Sequence, residues 1–275
     1  MARRAWSSEK AQACGPQPSV GAGRMSFMIE IENLHKSFDG SKVLKGISLH
    51  VENGEVIALI GRSGEGKSVL LRHVAGLKRP DKGRVLVDGK DVATLKGRAL
   101  AQLRSRLGFL FQGGALFDSM TVFDNVAFPL REKTRLQEKE IKEKVMAELD
   151  QVGLSGAEEK YPSQISGGMK KRAALARELV WAPEIMLFDE PTTGLDPIIG
   201  HAILNLIDNL HKRLQFTGIV VTHELEKVFK IVDRVAMLHE GVILAQGTPE
   251  QIVSSEDPVV QQFIKGEIEG PISYR

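Results

Sequence analysis

The chain has 275 residues, 42% of them hydrophobic, enough for a sizeable core in one large α/β domain or two smaller ones. Its 37 basic and 35 acidic residues nearly cancel to a net charge of +2, which gives no support for a nucleic-acid partner. A single cysteine, Cys14, excludes an intrachain disulfide, and no run approaches the ~18 apolar residues of a membrane-spanning helix, so the chain reads as soluble, with any membrane role supplied through a partner.

Residues 1–27 read as a disordered leader, small, polar and punctuated by Gly and Pro, or as the product of a start codon placed too early. The segment carries Trp6 but lacks the apolar stretch of a secretory signal. No apolar run precedes Cys14, which argues against lipidation. The ordered domain is expected over 28–266, with a tail over 267–275.

Alternation in "MIEIENL" and "ISLHV" predicts strands exposed on one face. "VIALI" (56–60) is continuously apolar, as suits a central parallel strand covered on both faces. It is followed by "GRSGEGKS", which fits G-x-x-x-x-G-K-[ST]. Gly61, Arg62, Ser63, Gly64, Glu65 and Gly66 would turn backbone amides inward around phosphate oxygens. The helix expected from near Lys67 adds its positive end. Lys67 would reach the β/γ-phosphates and the Ser68 hydroxyl would bind Mg²⁺. "RVLVDGKDV" carries an Asp-Gly hairpin signal. "GGALFDSMTVFDNVAFPLRE" (113–132) is rich in Phe, Met and Leu, which suit either core packing or a partner surface. "REKTRLQEKEIKEKVMAELDQVGL" sets Leu136, Ile141, Val145, Leu149 and Val152 in one apolar stripe on a solvated helix.

"ISGGMKKRAALAREL" (165–179) then places a serine and two glycines before a basic helix, a second anion-friendly segment. "IMLF" is a second buried strand, and it ends on Asp189 and Glu190. The two acids could simply cap the turn "PTTGLDP". Adjacent carboxylates at a buried strand end repel, however, so a nearby cation accounts for them better, with Asp189 toward Mg²⁺ and Glu190 toward an attacking water. "GIVVT" is a third such strand, and His223 follows it. Three strand ends thus converge where open α/β sheets bind ligands. "RVAMLHEGVILAQG" repeats the hairpin style.

Together these motifs resemble the ATP-binding-cassette (ABC) ATPases, over 29–266. Residues 61–68 match Walker A, "IMLFD" matches Walker B, "ISGGM" the signature, and "GLD" the D-loop ending at Asp196. The resemblance implies an α/β P-loop NTPase cassette: a RecA-like core, an antiparallel β subdomain, and a helical signature subdomain over about 113–180. It implies that Glu190 is the catalytic base and His223 the switch histidine. Gln112, in "LGFLFQ", would touch Mg²⁺ and the attacking water. Phe38 would stack on adenine. Ser166, Gly167 and Gly168 would bind the γ-phosphate of ATP held by a second copy, so that two chains sandwich two nucleotides head to tail.

Several positions depart from the family pattern. Ile165 and Met169 replace the signature's leucine and glutamine, and Arg62 stands where proline is common. Val69 replaces a hydroxyl residue; a lost hydrogen bond of that kind costs about 0.5–1.5 kcal/mol. Phe38 replaces tyrosine but keeps the stacking face.

"GALFDSMTVFDNVAFPLRE", "ISGGMKKRAALAR" and the end "QQFIKGEIEGPISYR" further resemble the ATPase group of MCE-associated, Mla-type lipid transporters. That resemblance implies ATP and Mg²⁺ as cofactors and a homodimer at the cytoplasmic face of the inner membrane. It also implies integral-membrane permease subunits and an MCE-domain lipid-binding partner. The alternatives are the ATPase of a polar-solute importer and a non-transport ABC ATPase. The near-neutral charge and the lack of long insertions weigh against the second.

Overall fold

The computed structural model describes residues 27–273. The expected leader, with Trp6 and Cys14, and the last two residues of the tail therefore lie outside the described residues, apart from Phe27.

The chain opens with a long hairpin, β1 (Phe27–Phe38) and β2 (Ser41–Glu52), turned at Asp39 and Gly40, both at positive φ. Ile29, Ile31 and Leu34 face inward opposite Leu44, Ile47, Leu49 and Val51. A register shift between Ile31 and Leu34 is why the alternation is not strict. β3 (Val56–Ile60) follows, then α1 (Lys67–Val74), β4 (Lys82–Val87) and the short β5 (Lys90–Asp91). Asp88 and Gly89 have φ of 50° and 70°, the two-residue turn that matches strand twist. β4 returns antiparallel beside β1, so the small sheet has order β2-β1-β4-β5 and is antiparallel throughout.

α2 (Gly97–Ser105) and β6 (Leu107–Leu110) lead into three helices: α3 (Val122–Lys133), α4 (Glu138–Gln151) and α5 (Gly167–Leu179). These share their own core, in which Val126 and Leu130 meet Ile141, Val145, Leu149, Ala173 and Ala176. The single helical stripe expected from residue 131 onward is broken. Thr134 caps α3 by donating to the Leu130 carbonyl at 2.6 Å, and Arg131 folds forward onto Glu138, its Nε 2.9 Å from Oε1. Leu136 lies in the connection and packs against the cluster from outside the helix, and Val152 caps the C-terminus of α4.

β7 (Ile185–Asp189), α6 (Pro197–Leu214), β8 (Thr217–Val221), α7 (Leu225–Val228), β9 (Arg234–His239), β10 (Val242–Gly247), α8 (Pro249–Val253) and α9 (Pro258–Lys265) complete the chain. The large sheet has order β10-β9-β3-β8-β7-β6, parallel except for β10. Every residue of β3, β7 and β8 is buried, as continuous apolar runs require. Alternation now divides two cores. Ile57 and Leu59 join α1 and the antiparallel sheet. Val56, Ala58 and Ile60 join α5 and α6. Full burial of each valine, leucine or isoleucine side chain among them contributes about 1.5–3 kcal/mol. The tail folds back, with Gln262 bonding both the N–H and the carbonyl of Ile272. Among the described residues, no helix is long and apolar enough to cross a membrane.

Candidate functional site

In the large sheet β3, β8, β7 and β6 are successive neighbours, and all run the same way. Their carboxyl ends therefore deliver residues 61–66, His223, Glu190 and Gln112 along one edge. The cleft there is about 470 Å³ and is lined by Ser63, Gly64, Gly66, Lys67, Ser68, Val69, Gln112, Glu190, Thr193 and His223.

The loop after β3 has a shape that its glycines permit. Gly61 has φ of 144° and lies so close to the Leu238 carbonyl that a Cβ would collide with it. Gly66 caps α1 at φ of 104°, where a Cβ would come within 2.8 Å of Val43 and Leu44. Glu65 turns away from the cleft. Its carboxylate accepts from the Arg62 amide at 3.2 Å and lies 3.1 Å from His239 Nδ1, tying the loop to β9. Glu65, expected to help surround phosphate, thus contributes its backbone to the loop while its side chain braces it.

Lys67 is buried, and Nζ donates to the carbonyls of Gly61 and Arg62 at 2.8 and 2.7 Å. Burial pulls its pKa below the ordinary lysine value, against the opposing pull of Glu190, Glu65 and Asp189. The Ser68 hydroxyl donates to Asp189 Oδ1 at 2.7 Å. Asp189 is itself buried, which raises its carboxyl pKa; Glu190 adds to the rise and the Ser68 bond opposes it.

Glu190 has φ of 50°, a left-handed conformation that costs a non-glycine residue about 1–3 kcal/mol. Its amide still extends the β7–β8 ladder by donating to the Val221 carbonyl at 2.9 Å. The twist throws the carboxylate into the cleft, where three side chains hold it. Gln112 Nε2 and Thr193 Oγ1 donate to Oε2 at 2.9 and 2.8 Å, and His223 Nε2 lies 3.0 Å from Oε1. Thr193 escaped the sequence reading, although it stands three residues past Glu190 in "PTTGLDP".

Ser68 and Asp189 offer a hydroxyl and one buried carboxylate, all hard oxygen. Such a set fits a divalent cation that keeps waters and shares ligands with a phosphate. Among the described residues no group of three or more His, Cys, Asp or Glu gathers into a metal cage of its own.

The remaining expected residues lie outside the lining of this cleft. Phe38 ends β1, with Lys36 Nζ 5.6 Å and Lys78 Nζ 5.3 Å from its ring centre. Ser166 caps α5 by accepting from the Met169 amide at 3.3 Å; Ser166 and Gly167 are exposed. Gly168 is buried against α6, where a Cβ would come within 2.6 Å of Ile199. Asp196 caps α6 through the amides of Ile198 and Ile199 at 3.0 and 3.1 Å.

Comparison with known proteins fits this arrangement. Residues 44–193 match the family model described as ABC transporter. The chain is 43% identical over 248 residues to the intermembrane phospholipid transport system ATP-binding protein MlaF of Haemophilus influenzae, spanning 90% of this chain and 94% of that one. It is 44% identical to the probable ribonucleotide transport ATP-binding protein mkl of Mycobacterium leprae, over 92% of this chain and 73% of the relative. The fold superposes on the ATP-binding cassette MJ0796, in a dimeric post-hydrolysis state bound to ADP and Pi, with a TM-score of 0.75 at 30% identity, covering 81% of this chain and 99% of that one. On cbiO1 of Clostridium perfringens, part of the ABC transporter complex cbiONQ, the TM-score is 0.77 at 32% identity, over 87% and 96% of the two chains. With this cleft, this fold and these relatives, the chain belongs to the ABC transporter family, as one of its ATP-hydrolysing subunits.

Proposed function

We propose that this chain hydrolyses MgATP as a head-to-tail homodimer and thereby drives phospholipid or a related lipid through a membrane permease served by an MCE-domain partner. The observation that carries the catalytic part is the convergence of Gln112, Thr193 and His223 on the Glu190 carboxylate. A carboxylate fixed from three sides accepts a water proton in a defined direction. Lys67 supplies the cation for the transferred phosphate, and the backbone of residues 61–66 supplies the amides. Magnesium, held by Ser68 and Asp189 with Gln112 nearby, would neutralise developing negative charge. Phe38 stacks the base, and Ser166, Gly167 and Gly168 with Asp196 complete the site of the second copy. The post-hydrolysis dimer of the related cassette supports the pairing.

The lipid reading follows the relatives named for phospholipid transport. The name carried by the mycobacterial relatives favours ribonucleotide instead. Neither is moved by this chain directly, so the permease must be gripped. The segment after Gln112 offers the grip: Phe117 is 42% exposed and packs edge-on against Phe128, with ring centres 5.0 Å apart. Beside it lies a hollow of about 270 Å³ shared by Pro129, Lys133 and Trp181.

Three measurements test the reading. Glu190→Gln keeps ATP binding, stalls hydrolysis and accumulates a closed dimer in ATP; free turnover by that variant removes Glu190 from its role. Reconstituted complex shows ATPase stimulation by phospholipid vesicles together with the MCE partner. Stimulation by ribonucleotides, or by a sugar- or amino-acid-binding protein, with no response to lipid would overturn the cargo assignment. Phe117→Asp weakens co-purification of the permease while leaving nucleotide affinity unchanged; unaltered association takes this segment out of the interface.

A further inference from the structure

Beyond β6 the chain leaves the sheet at Gln112 and runs along one face of α5. Lys171 Nζ donates to the Gln112 carbonyl. Gly114 lies against Ala174, whose Cβ would be 3.3 Å from a Cβ at that glycine. Arg177 donates from Nη2 to the Gly114 carbonyl at 3.0 Å and from Nη1 to the Ala115 carbonyl at 2.6 Å. Lys171, Ala174 and Arg177 are spaced three apart, so they share one face of the helix. Lys171 and Arg177 are both buried, at 7% and 8% exposure.

The far end of the loop is tied in the same sense. Asn125 on α3 accepts from the Phe117 amide at 2.8 Å and donates to the carbonyls of Phe117, Met120 and Thr121 at 3.1, 3.2 and 2.9 Å. Residues 112–121 are therefore fastened at both ends to the helical subdomain. The Gln112 side chain crosses back to the core and reaches Glu190. The joint between the two bodies accordingly falls at Phe111 and Gln112, and not along the loop.

We infer that Lys171 is a positioning residue for hydrolysis: it fastens the Gln112 backbone to the signature helix, so that a displacement of α5 arrives at Glu190 as a displacement of the Gln112 amide. This rests on the catalytic roles proposed above for Gln112 and Glu190. Ser166 stands exposed at the N-terminus of α5, and Lys171 lies five residues along the same helix, about 7.5 Å at a rise of 1.5 Å per residue. A packed helix moves as one piece. Whatever engages Ser166 is thus felt at the base of the same chain's own cleft. The buried ammonium is also drawn toward Glu190 and Asp189, whose charges oppose the desolvation that lowers its pKa. If Lys171 merely satisfied a buried carbonyl, its loss would cost stability and leave the chemistry alone.

The test is a double-mutant cycle on the purified full chain with MgATP, reading kcat, KM and thermal stability. Lys171→Met lowers kcat about tenfold or more with KM within about twofold of wild type, the pattern of an interaction that acts on the chemical step. In a Gln112→Ala background Lys171→Met causes no further loss, because its effect runs through Gln112. Lys171→Arg, which restores a buried cationic donor, keeps at least about half of kcat. Unchanged kcat for Lys171→Met, multiplicative losses in the cycle, or equal losses in kcat and affinity would overturn the inference. If Lys171→Met unfolds, Lys171→Gln enters the same cycle under the same criteria. If Gln112→Ala alone leaves kcat unchanged, the underlying site assignment fails; if it lowers kcat and Lys171→Met does not, only the positioning role fails.

Discussion

Residues 61–68 and residues 165–169 both set glycines at the start of a helix, yet they are built for different circumstances. In the first segment the glycines are at positive φ, with Gly61, Gly64 and Gly66 at 144°, 82° and 104°. The loop curls on itself, and the same chain supplies the lysine, the hydroxyl and the carboxylates. In the second, neither Gly167 nor Gly168 has a positive φ, and both belong to the helix. Gly168 is small because α6 passes close by, and Ser166 spends its oxygen on capping α5. On the function proposed above, the first segment is a complete cradle and the second is half of one, with Ser166 and Gly167 exposed toward a second copy. A glycine pair before a basic helix does not by itself say which kind is present; the backbone angles do.

Lys67→Ala is the hardest test of the finished cradle. It removes the buried cation that faces the cleft, and turnover is expected to fall by at least about a hundred- to a thousandfold, the scale of losing one preorganised donor. Steady-state phosphate release measures it. Activity at the wild-type level would mean that the cradle is not where the phosphates sit.

Gly168→Ala probes the half-cradle. The new methyl group would meet Ile199 at 2.6 Å and push α5 from α6. Overpacking of this kind costs about 1–3 kcal/mol, so a modest fall in melting temperature is expected. Nucleotide affinity of the single chain should stay within about twofold, since the cradle of residues 61–68 is untouched, while pairing in ATP and turnover fall by about tenfold, roughly 1.4 kcal/mol. Weakened binding by the isolated chain would show that both segments serve one nucleotide in one chain, and the contrast between them would collapse.

What was legible in the sequence follows the same divide. "VIALI" is β3 to the residue, because a strand buried on both faces leaves a continuous apolar run. Asp88-Gly89 announces its hairpin because few residues accept the required positive φ. These are local demands, written where they act. The break between α3 and α4 was not legible. At the break Thr134 donates to the Leu130 carbonyl and Arg131 bridges Asp124 and Glu138, each seven residues away, in a stretch whose apolar spacing continues undisturbed. The clamp of Lys171 and Arg177 on residues 112–115 was likewise hidden, since the partners lie about sixty residues apart, at separations of 59, 62 and 63. "MKKR" marks a basic helix without saying which of its cations is buried. Thr193 needed the twist at Glu190 to bring its hydroxyl onto the carboxylate.

The contrast has a thermodynamic side that gives its smallest effect. The finished cradle holds a buried carboxylate at Asp189, whereas the exposed Ser166 carries no comparable burden. Burial raises the Asp189 pKa above the unfolded value, so the folded chain binds that proton more tightly than the unfolded chain does. Below the unfolded pKa both states are protonated and burial costs nothing in charge. As pH rises toward the folded pKa the native state loses stability relative to the unfolded one, and beyond that pKa the loss levels off. Asp189→Asn removes the titration while keeping an oxygen to accept from Ser68. In EDTA its melting temperature should therefore match wild type near pH 4 and exceed it by a few degrees near pH 8, since 1 kcal/mol corresponds to about 2–4 °C for a chain approaching this size. The same variant loses its Mg²⁺-dependent turnover, which separates stability from function in one protein. Ser166→Ala, run in parallel, should show a melting difference that does not change with pH. A difference for Asp189→Asn that is constant across the range, or that shrinks as pH rises, would mean that the carboxylate is not a buried burden and that the cradle is as unstrained as the segment it was contrasted with.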